Sequence, residues 1–330
     1  MYKIDIFTAL KELELSEKSR GLTKGTIKRN QDFVGRFLKY INSNIDINYV
    51  DEIRPNHIKA FLVSIFDRGN KPSYVNIYRK SIKAYFTYIE CEEYIEYFKN
   101  PMLRVPKMKE GEVLVFPWSD EDIQKMLDYQ KNEIRNTRRK MSKTRGKRKL
   151  FVDERILFMI MLFIDTGMRL AELRNLREDH FSKDTIYIRN GKGGKDRIVF
   201  VSSIALKQKI KYERAKENYF SEWESHQQEN FVFLNDKGRQ LSADMAQRDI
   251  QNLAKYAKCD LKIRHSPHTF RHYFTQKMVE NGANIVTIQR LLGHTSLRTT
   301  ENYLRTLPNA KIAEQGLEYS PLLNLNKNLR

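Results

Sequence analysis

Apolar positions in the first hundred residues recur at helical spacing. In TKGTIKRNQDFVGRFLKYIN (23–42), Phe33, Phe37 and Ile41 stand four apart, with lysines and arginines elsewhere. RPNHIKAFLVSIFDRG has a proline near its start and a glycine after its end, the punctuation of another helix. SYVNIYRKSIKAYFTYIE (73–90) puts Val75, Ile82, Phe86 and Ile89 on one side and Arg79, Lys80 and Lys83 on another. Residues 1–102 therefore read as a small, basic, all-helical bundle. NPMLRVPKMKEGEVLVFP (100–117) carries three prolines and no periodicity, which predicts a linker over 103–116.

The pattern then changes. WSDEDIQKMLDYQ starts a helix, with Ser119 at the N-cap and Asp122 three residues later in a variant of the capping box. NTRRKMSKTRGKRK (136–149) reads as a basic loop, either a solvated surface or a contact to phosphates. ILFMIMLFI (156–164) is nine apolar residues long, against the ~20 a membrane helix needs, so it is read as a buried core helix. TIYIRN and DRIVFV alternate around GKGGK, a β-hairpin with a glycine-rich tip, and FVFLND (231–236) is read as a third strand. From residue 241 on, the pattern is helical: 243–257, 267–281, 284–292 and a last helix containing Tyr303. The fold class expected is mainly α with a small antiparallel sheet in the second half.

The helix opening PHTFRHYF (267–274) carries the first chemical signal. Ser266 is placed as its N-cap and Pro267 at its first position. Phe270, Phe274 and Met278 line the side to be buried, while His268, Arg271 and His272 share a face that suits an anion. The same pattern would also serve a helix-face pair satisfying a buried carboxylate. His268 and His272 are spaced for a metal, but Thr269 stands where the HExxH glutamate would be and no third ligand is evident.

Charge sharpens this. The 330 residues carry a formal net charge of +19, which points to a polyanionic partner, because cations that neutralise phosphates release counterions. The 40% hydrophobic content is enough for a core in each of two domains. Cys91 and Cys259 form neither a disulfide framework nor a zinc pattern. The start MYKIDIFTAL shows no charged-then-apolar leader, and an intracellular, cytoplasmic setting is expected.

Further pieces complete a set. Arg169 lies in TGMRLAEL with Glu172 one turn on, Lys192 lies in the hairpin tip, His294 follows Gly293 in LLGH, and Tyr303 comes nine residues later. TGMRLAEL, GKGGKDR, HTFRH, LLGH and that tyrosine, in this order, resemble the tyrosine recombinases, which include phage integrases, Xer recombinases and transposon recombinases. The resemblance covers about residues 15–310. It implies a helical, SAM-like core-binding domain over 1–102, a catalytic domain over 117–308, and the two forming a clamp round duplex DNA. It also implies a tail over 309–330 that docks on a neighbouring protomer.

The implied chemistry suits the residue types. A phenol with a pKa of about 10 attacks a phosphodiester only where dense positive charge favours phenolate and stabilises the phosphate. Arg169 and Arg271 would grip non-bridging oxygens, which planar guanidinium does in bidentate fashion. His268 would take or relay the proton of Tyr303, and His294 would hydrogen-bond the phosphate. Lys192 would protonate the departing 5′ oxygen, with Lys195 as the alternative in the same hairpin. Glu172 would orient Arg169 and the histidine from behind. No metal, ATP or other cofactor is implied.

The partners implied are double-stranded recombination sites, a homo-tetramer on DNA and accessory DNA-bending proteins. Lys24, Lys28, Arg79, Lys80 and Lys83 are candidate phosphate contacts in the bundle, although a solvated basic face gives the same pattern. Mobile-element integration or excision and replicon resolution are the roles such chemistry serves. Two rivals stand beside this reading. One is type IB topoisomerase-like relaxation by the same chemistry, which needs no second site. The other is a non-catalytic architectural protein, which would not require the whole set.

Overall fold

In a computed structural model, residues 3–111, 116–140, 143–189, 196–221 and 229–293 are described. Lys192, Lys195, His294, Tyr303 and the tail lie outside them. The chain divides into two compact units, Met1–Val113 and Leu114–Arg330.

The first unit is four helices: α1 (Ile6–Ser19), α2 (Lys24–Ile45), α3 (Pro55–Asp67) and α4 (Pro72–Cys91). The stripes read from the sequence are inside, with Phe37, Ile41, Val75, Ile82, Phe86 and Ile89 buried and Phe33 stacked on Tyr78 at 4.2 Å. Helix α1 carries a less regular apolar stripe than α2 and α4. Its Ile6, Ala9, Leu10 and Leu13 are buried, but Leu15 is 71% exposed, which blurs the period. Asp5 starts it by accepting hydrogen bonds from Phe7 N and Thr8 N at 2.9 Å each. A buried chain ties three helices together: Asn30 Nδ2 donates to Glu17 Oε1 at 2.6 Å, and Ser81 Oγ donates to Asn30 Oδ1 at 2.9 Å. Burial of such groups is offset by these bonds, although Glu17 Oε2 has no partner among the described residues.

Much of the stretch read as linker is packed on this unit. Met102 and Val105 are buried, Arg79 Nε donates to Val105 O at 2.9 Å, and Asn76 exchanges bonds with Met108 O and N, each 2.9 Å. Prolines here remove donors from a strap, not from a loose tether.

The second unit contains α5 (Asp120–Arg139), α6 (Lys143–Thr166), α7 (Leu170–Arg174), β1 (Phe181–Ser182), β2 (Thr185–Ile188), β3 (Arg197–Phe200), α8 (Ser203–Phe220), α9 (Ala243–Tyr256), α10 (Pro267–Glu280) and α11 (Ile285–Leu292). The strands form an antiparallel sheet in the order β1-β2-β3, and the pair Ile186–Val199 faces the core. This is the mainly helical fold with one small sheet that the patterning predicts.

Two expectations are overturned. In the basic stretch 136–149 the described residues are mostly helix rather than loop: α5 continues to Arg139 and α6 begins at Lys143, with 141–142 outside the described residues. Its cations are partly spent on the protein itself, Arg138 on Glu154 at 2.7 Å, Arg148 on Asp236 at 2.5 Å and Lys149 on Asp153 at 2.7 Å. These pairs occupy the helix flanks, where charge hid the periodicity. Residues 231–236 are not a strand, and Leu234 makes only an isolated bridge to Gln240. Val232, Phe233 and Leu234 are nonetheless buried. Two of their carbonyls go to side chains, Tyr212 Oη donating to Val232 O at 2.7 Å and Arg155 Nη1 to Leu234 O at 2.9 Å, while Phe233 O accepts from Leu241 N at 3.0 Å. The third strand is Phe181–Ser182 instead.

The end of α6 is shaped by Gly167, whose φ is +59°. A Cβ there would lie 2.5 Å from Phe274 Cδ1 and 3.0 Å from Leu292 Cδ2. Gly167→Ala is thus expected to destabilise the second unit by about 2–4 kcal/mol, combining left-handed strain with overpacking. Urea unfolding followed by Trp118 fluorescence measures it, and a cost below about 0.5 kcal/mol would contradict this packing.

Candidate active site

The site is assembled around one buried carboxylate. Arg169 sits at the N-cap of α7, and Glu172, in the first turn, reaches back to accept a hydrogen bond from Arg169 N at 2.6 Å. The same carboxylate accepts from Arg169 Nη1 at 2.8 Å. From β3, Arg197 meets it with both terminal nitrogens, Nη1 on Oε1 and Nη2 on Oε2, each at 2.7 Å. Burial alone would raise the pKa of Glu172, but Arg197 and then Arg169 outweigh it and hold the group down at about 2. The carboxylate is therefore ionised throughout the physiological range.

Arg271, on α10, is 3% exposed and donates Nη1 to Gly167 O at 2.8 Å and Nη2 to Leu292 O at 2.6 Å. Arg169 Nη2 reaches Gly293 O at 3.4 Å. The turn before Arg169 and the C-terminal end of α11 are thus drawn onto the two arginines. Gly293, at φ +64°, ends α11 in the left-handed region that only glycine adopts freely.

Helix α10 keeps its predicted faces. Phe270 and Phe274 are buried and Met278 is partly so. Ser266 stands at the N-cap, but its hydroxyl lies 3.0 Å from Thr269 Oγ1 instead of capping a backbone N–H. The helix is anchored to α5, whose Asp120 accepts from Tyr273 Oη at 2.8 Å and Lys277 Nζ at 2.6 Å.

His268 presents an exposed edge beside this cluster. Partial desolvation, then the charges of Arg271, Arg264 and Arg169, lower its pKa, so it is neutral at pH 7 and can accept a proton. His272 is pushed down to about 4 by burial, then by His268 and Arg271. Among the described residues, no group of three or more His, Cys, Asp or Glu side chains could hold a metal ion.

The shifts of His272 and Glu172 add on acidification. Unfolded His272 takes a proton at its ordinary 6.5 while the folded group waits until about 4, so stability is full above 6.5 and declines as pH falls through that window. The contribution of Glu172 is present above its ordinary 4.5 and is lost as pH drops toward 2. His272→Gln is expected to remove the first loss, on the order of 3 kcal/mol between pH 6.5 and 4. Urea midpoints at pH 7, 5.5 and 4 check it, and parallel curves for variant and wild type would refute it.

Of the residues predicted from sequence, Arg169, Glu172, His268 and Arg271 are brought to this place. Among the described residues, the partners of Glu172 are Arg169 and Arg197, not a histidine. Arg197 is the residue whose part sequence reasoning missed. It was visible only as the last letter of GKGGKDR, and its partner stands 25 positions away. In the first unit Lys24, Lys28, Lys80 and Lys83 are exposed, while Arg79 is half-buried.

The fold has known counterparts. The crystal structure of XerH site-specific recombinase bound to palindromic difH substrate, a post-cleavage complex, matches with a TM-score of 0.68 at 19% identity, over 93% of this chain and 84% of that one. A lambda integrase tetramer bound to a Holliday junction matches with a TM-score of 0.67 at 15% identity, over 91% and 77%. The class that fold and site define is thus the tyrosine-recombinase catalytic fold. Residues 121–309, more than half the chain, match the model of the phage integrase family, and the chain belongs to that family. It is 26% identical over 288 residues to tyrosine recombinase XerD of Listeria innocua, 86% of this chain and 89% of that protein. Identity to tyrosine recombinase XerA of Pyrococcus furiosus is 26% over 317 residues, 95% and 94% respectively.

Proposed function

We propose that this protein is a site-specific DNA recombinase that cuts and rejoins strands through a 3′-phosphotyrosine at Tyr303. The observation that carries it is the convergence of Arg169 and Arg271 on the main chain at Gly167, Leu292 and Gly293. Two fixed guanidinium groups held this way form a preorganised site for a phosphate whose charge grows during displacement. The phenol oxygen of Tyr303 attacks phosphorus, its proton passes to neutral His268, and the 5′ oxygen leaves with a proton from Lys192. His294 hydrogen-bonds the phosphate. The phosphotyrosine keeps the energy of the broken bond, so religation to a second duplex needs no ATP.

Recombination between two sites places four protomers on the DNA, with strands exchanged through a four-way junction. Lys24, Lys28, Lys80 and Lys83 supply phosphate contacts in the first unit, and DNA-bending proteins assist assembly. The setting is cytoplasmic, in the movement of a mobile element or the resolution of replicons. Among the described residues, no helix is long and apolar enough to cross a membrane.

The test is a nicked suicide duplex carrying a candidate site, incubated with the full chain in EDTA and run on a denaturing gel. A covalent protein–DNA band with a free 5′ hydroxyl is expected. Tight binding with no band from any site would move the reading to architectural binding. A band formed together with relaxation of single-site circles, but without exchange between two sites, would favour the topoisomerase-like alternative.

A further inference from the structure

We infer that Arg197 is a positioning residue for strand cleavage, fixing Arg169 through Glu172 and the end of α11 through Leu291; this rests on the phosphotyrosine reading above. Arg197 is the first residue of β3 and its side chain is 8% exposed. Its three nitrogens are all committed: Nη1 and Nη2 to the two oxygens of Glu172 at 2.7 Å each, and Nε to Leu291 O at 2.7 Å. The stem is also in contact, since a Cβ on Gly293 would lie 3.1 Å from Arg197 Cδ. One planar side chain thus joins the start of α7, the start of β3 and the C-terminal end of α11.

The geometry says why three elements need one clamp. Without Arg197, Glu172 would be held by Arg169 alone, a contact within a single helical turn that leaves α7 able to shift against α11. With it, the carboxylate accepts from Arg169 N, Arg169 Nη1 and both Arg197 nitrogens, so the Arg169 guanidinium is held in register with the carbonyl of Gly293. Lysine cannot reproduce this. Its ammonium is a point charge, and the bidentate fork and the third bond along the stem are lost together. Arg197 touches carbonyl and carboxylate oxygens here, so its effect passes through other groups.

The experiment compares full-length wild type, Arg197→Lys and Arg197→Met on the nicked duplex, under single turnover at saturating DNA. Each is run with an ordinary scissile phosphate and with a 5′-bridging phosphorothiolate, whose leaving group needs no proton. The rate of covalent adduct formation is expected to fall about 10-fold in Arg197→Lys and about 100-fold in Arg197→Met, with DNA affinity within about 2-fold of wild type. The phosphorothiolate should leave both deficits in place, because the loss lies in the arginine grip on the phosphate. Adding Glu172→Gln to Arg197→Met should cost little more, since the two act as a unit. Undiminished rates in both variants would overturn the proposal. So would recovery on the phosphorothiolate, which would assign Arg197 to proton delivery from the hairpin. Should the methionine variant fail to fold, Arg197→Lys alone decides. Failure of wild type itself to form an adduct would instead sink the recombinase reading.

Discussion

Tyr303→Phe is expected to bind its DNA site as tightly as wild type and to form no covalent adduct. The substitution removes one oxygen, which in the proposed mechanism is both the nucleophile and the atom that holds DNA during exchange. The electrostatic part of binding resides in lysines and arginines elsewhere, so affinity and its salt dependence should not change. Nothing else in the site can stand in for the phenol. Arg169 and Arg271 have no nucleophilic lone pair, and attack by neutral His268 would give a phosphoramidate that acid hydrolyses. An acid-stable covalent band in Tyr303→Phe would therefore identify a different nucleophile. One of the other 16 tyrosines would be the first suspect.

Arg271→Ala is expected to lower the rate of adduct formation by roughly 10²–10³-fold, the usual cost of removing one preorganised charge donor. The residue is 3% exposed, and truncation also leaves the carbonyls of Gly167 and Leu292 without the donors they have now. Each orphaned acceptor costs about 1–3 kcal/mol, so Arg271→Ala should unfold at distinctly lower urea. Arg271→Lys separates the two effects. Lysine keeps the charge and can satisfy one carbonyl, but it cannot span Gly167 and Leu292 at once. It should recover most of the stability and little of the rate. A lysine variant that restored cleavage fully would show that charge alone, without the guanidinium fork, is what the phosphate requires.

Legibility differed by residue for physical reasons. Helices α2, α3, α4 and α10 were plain because their apolar residues fall on one stripe and their ends carry proline, glycine or serine signals. Residues 136–149 misled because salt-bridged arginines and lysines on helix flanks look like loop residues when only polarity is counted. FVFLND misled because alternation and burial fit a strand, while pairing depends on a neighbour that the sequence does not announce. In the site, Arg169, Glu172, His268 and Arg271 stood in motifs whose local spacing already groups them. Gly167 stood in such a motif too, but its need for a missing Cβ depends on Phe274, more than one hundred positions away.

By itself the sequence determined what is local and what is summed. It set the helical bundle, the hairpin, the basic charge, and the order of arginines, histidines and tyrosine that implies phosphoryl transfer. These follow from periodicity and residue chemistry, which act over a turn of helix or over the whole composition. Tertiary structure decided what that set is held by. Arg197 reaching across from β3 to Glu172 and Leu291, and Arg271 closing on Gly167 and Leu292, are contacts between elements tens of residues apart. Such contacts arise only when the core brings helix ends together, because a hydrogen bond between distant residues is worth its ordering entropy only after packing has already supplied it.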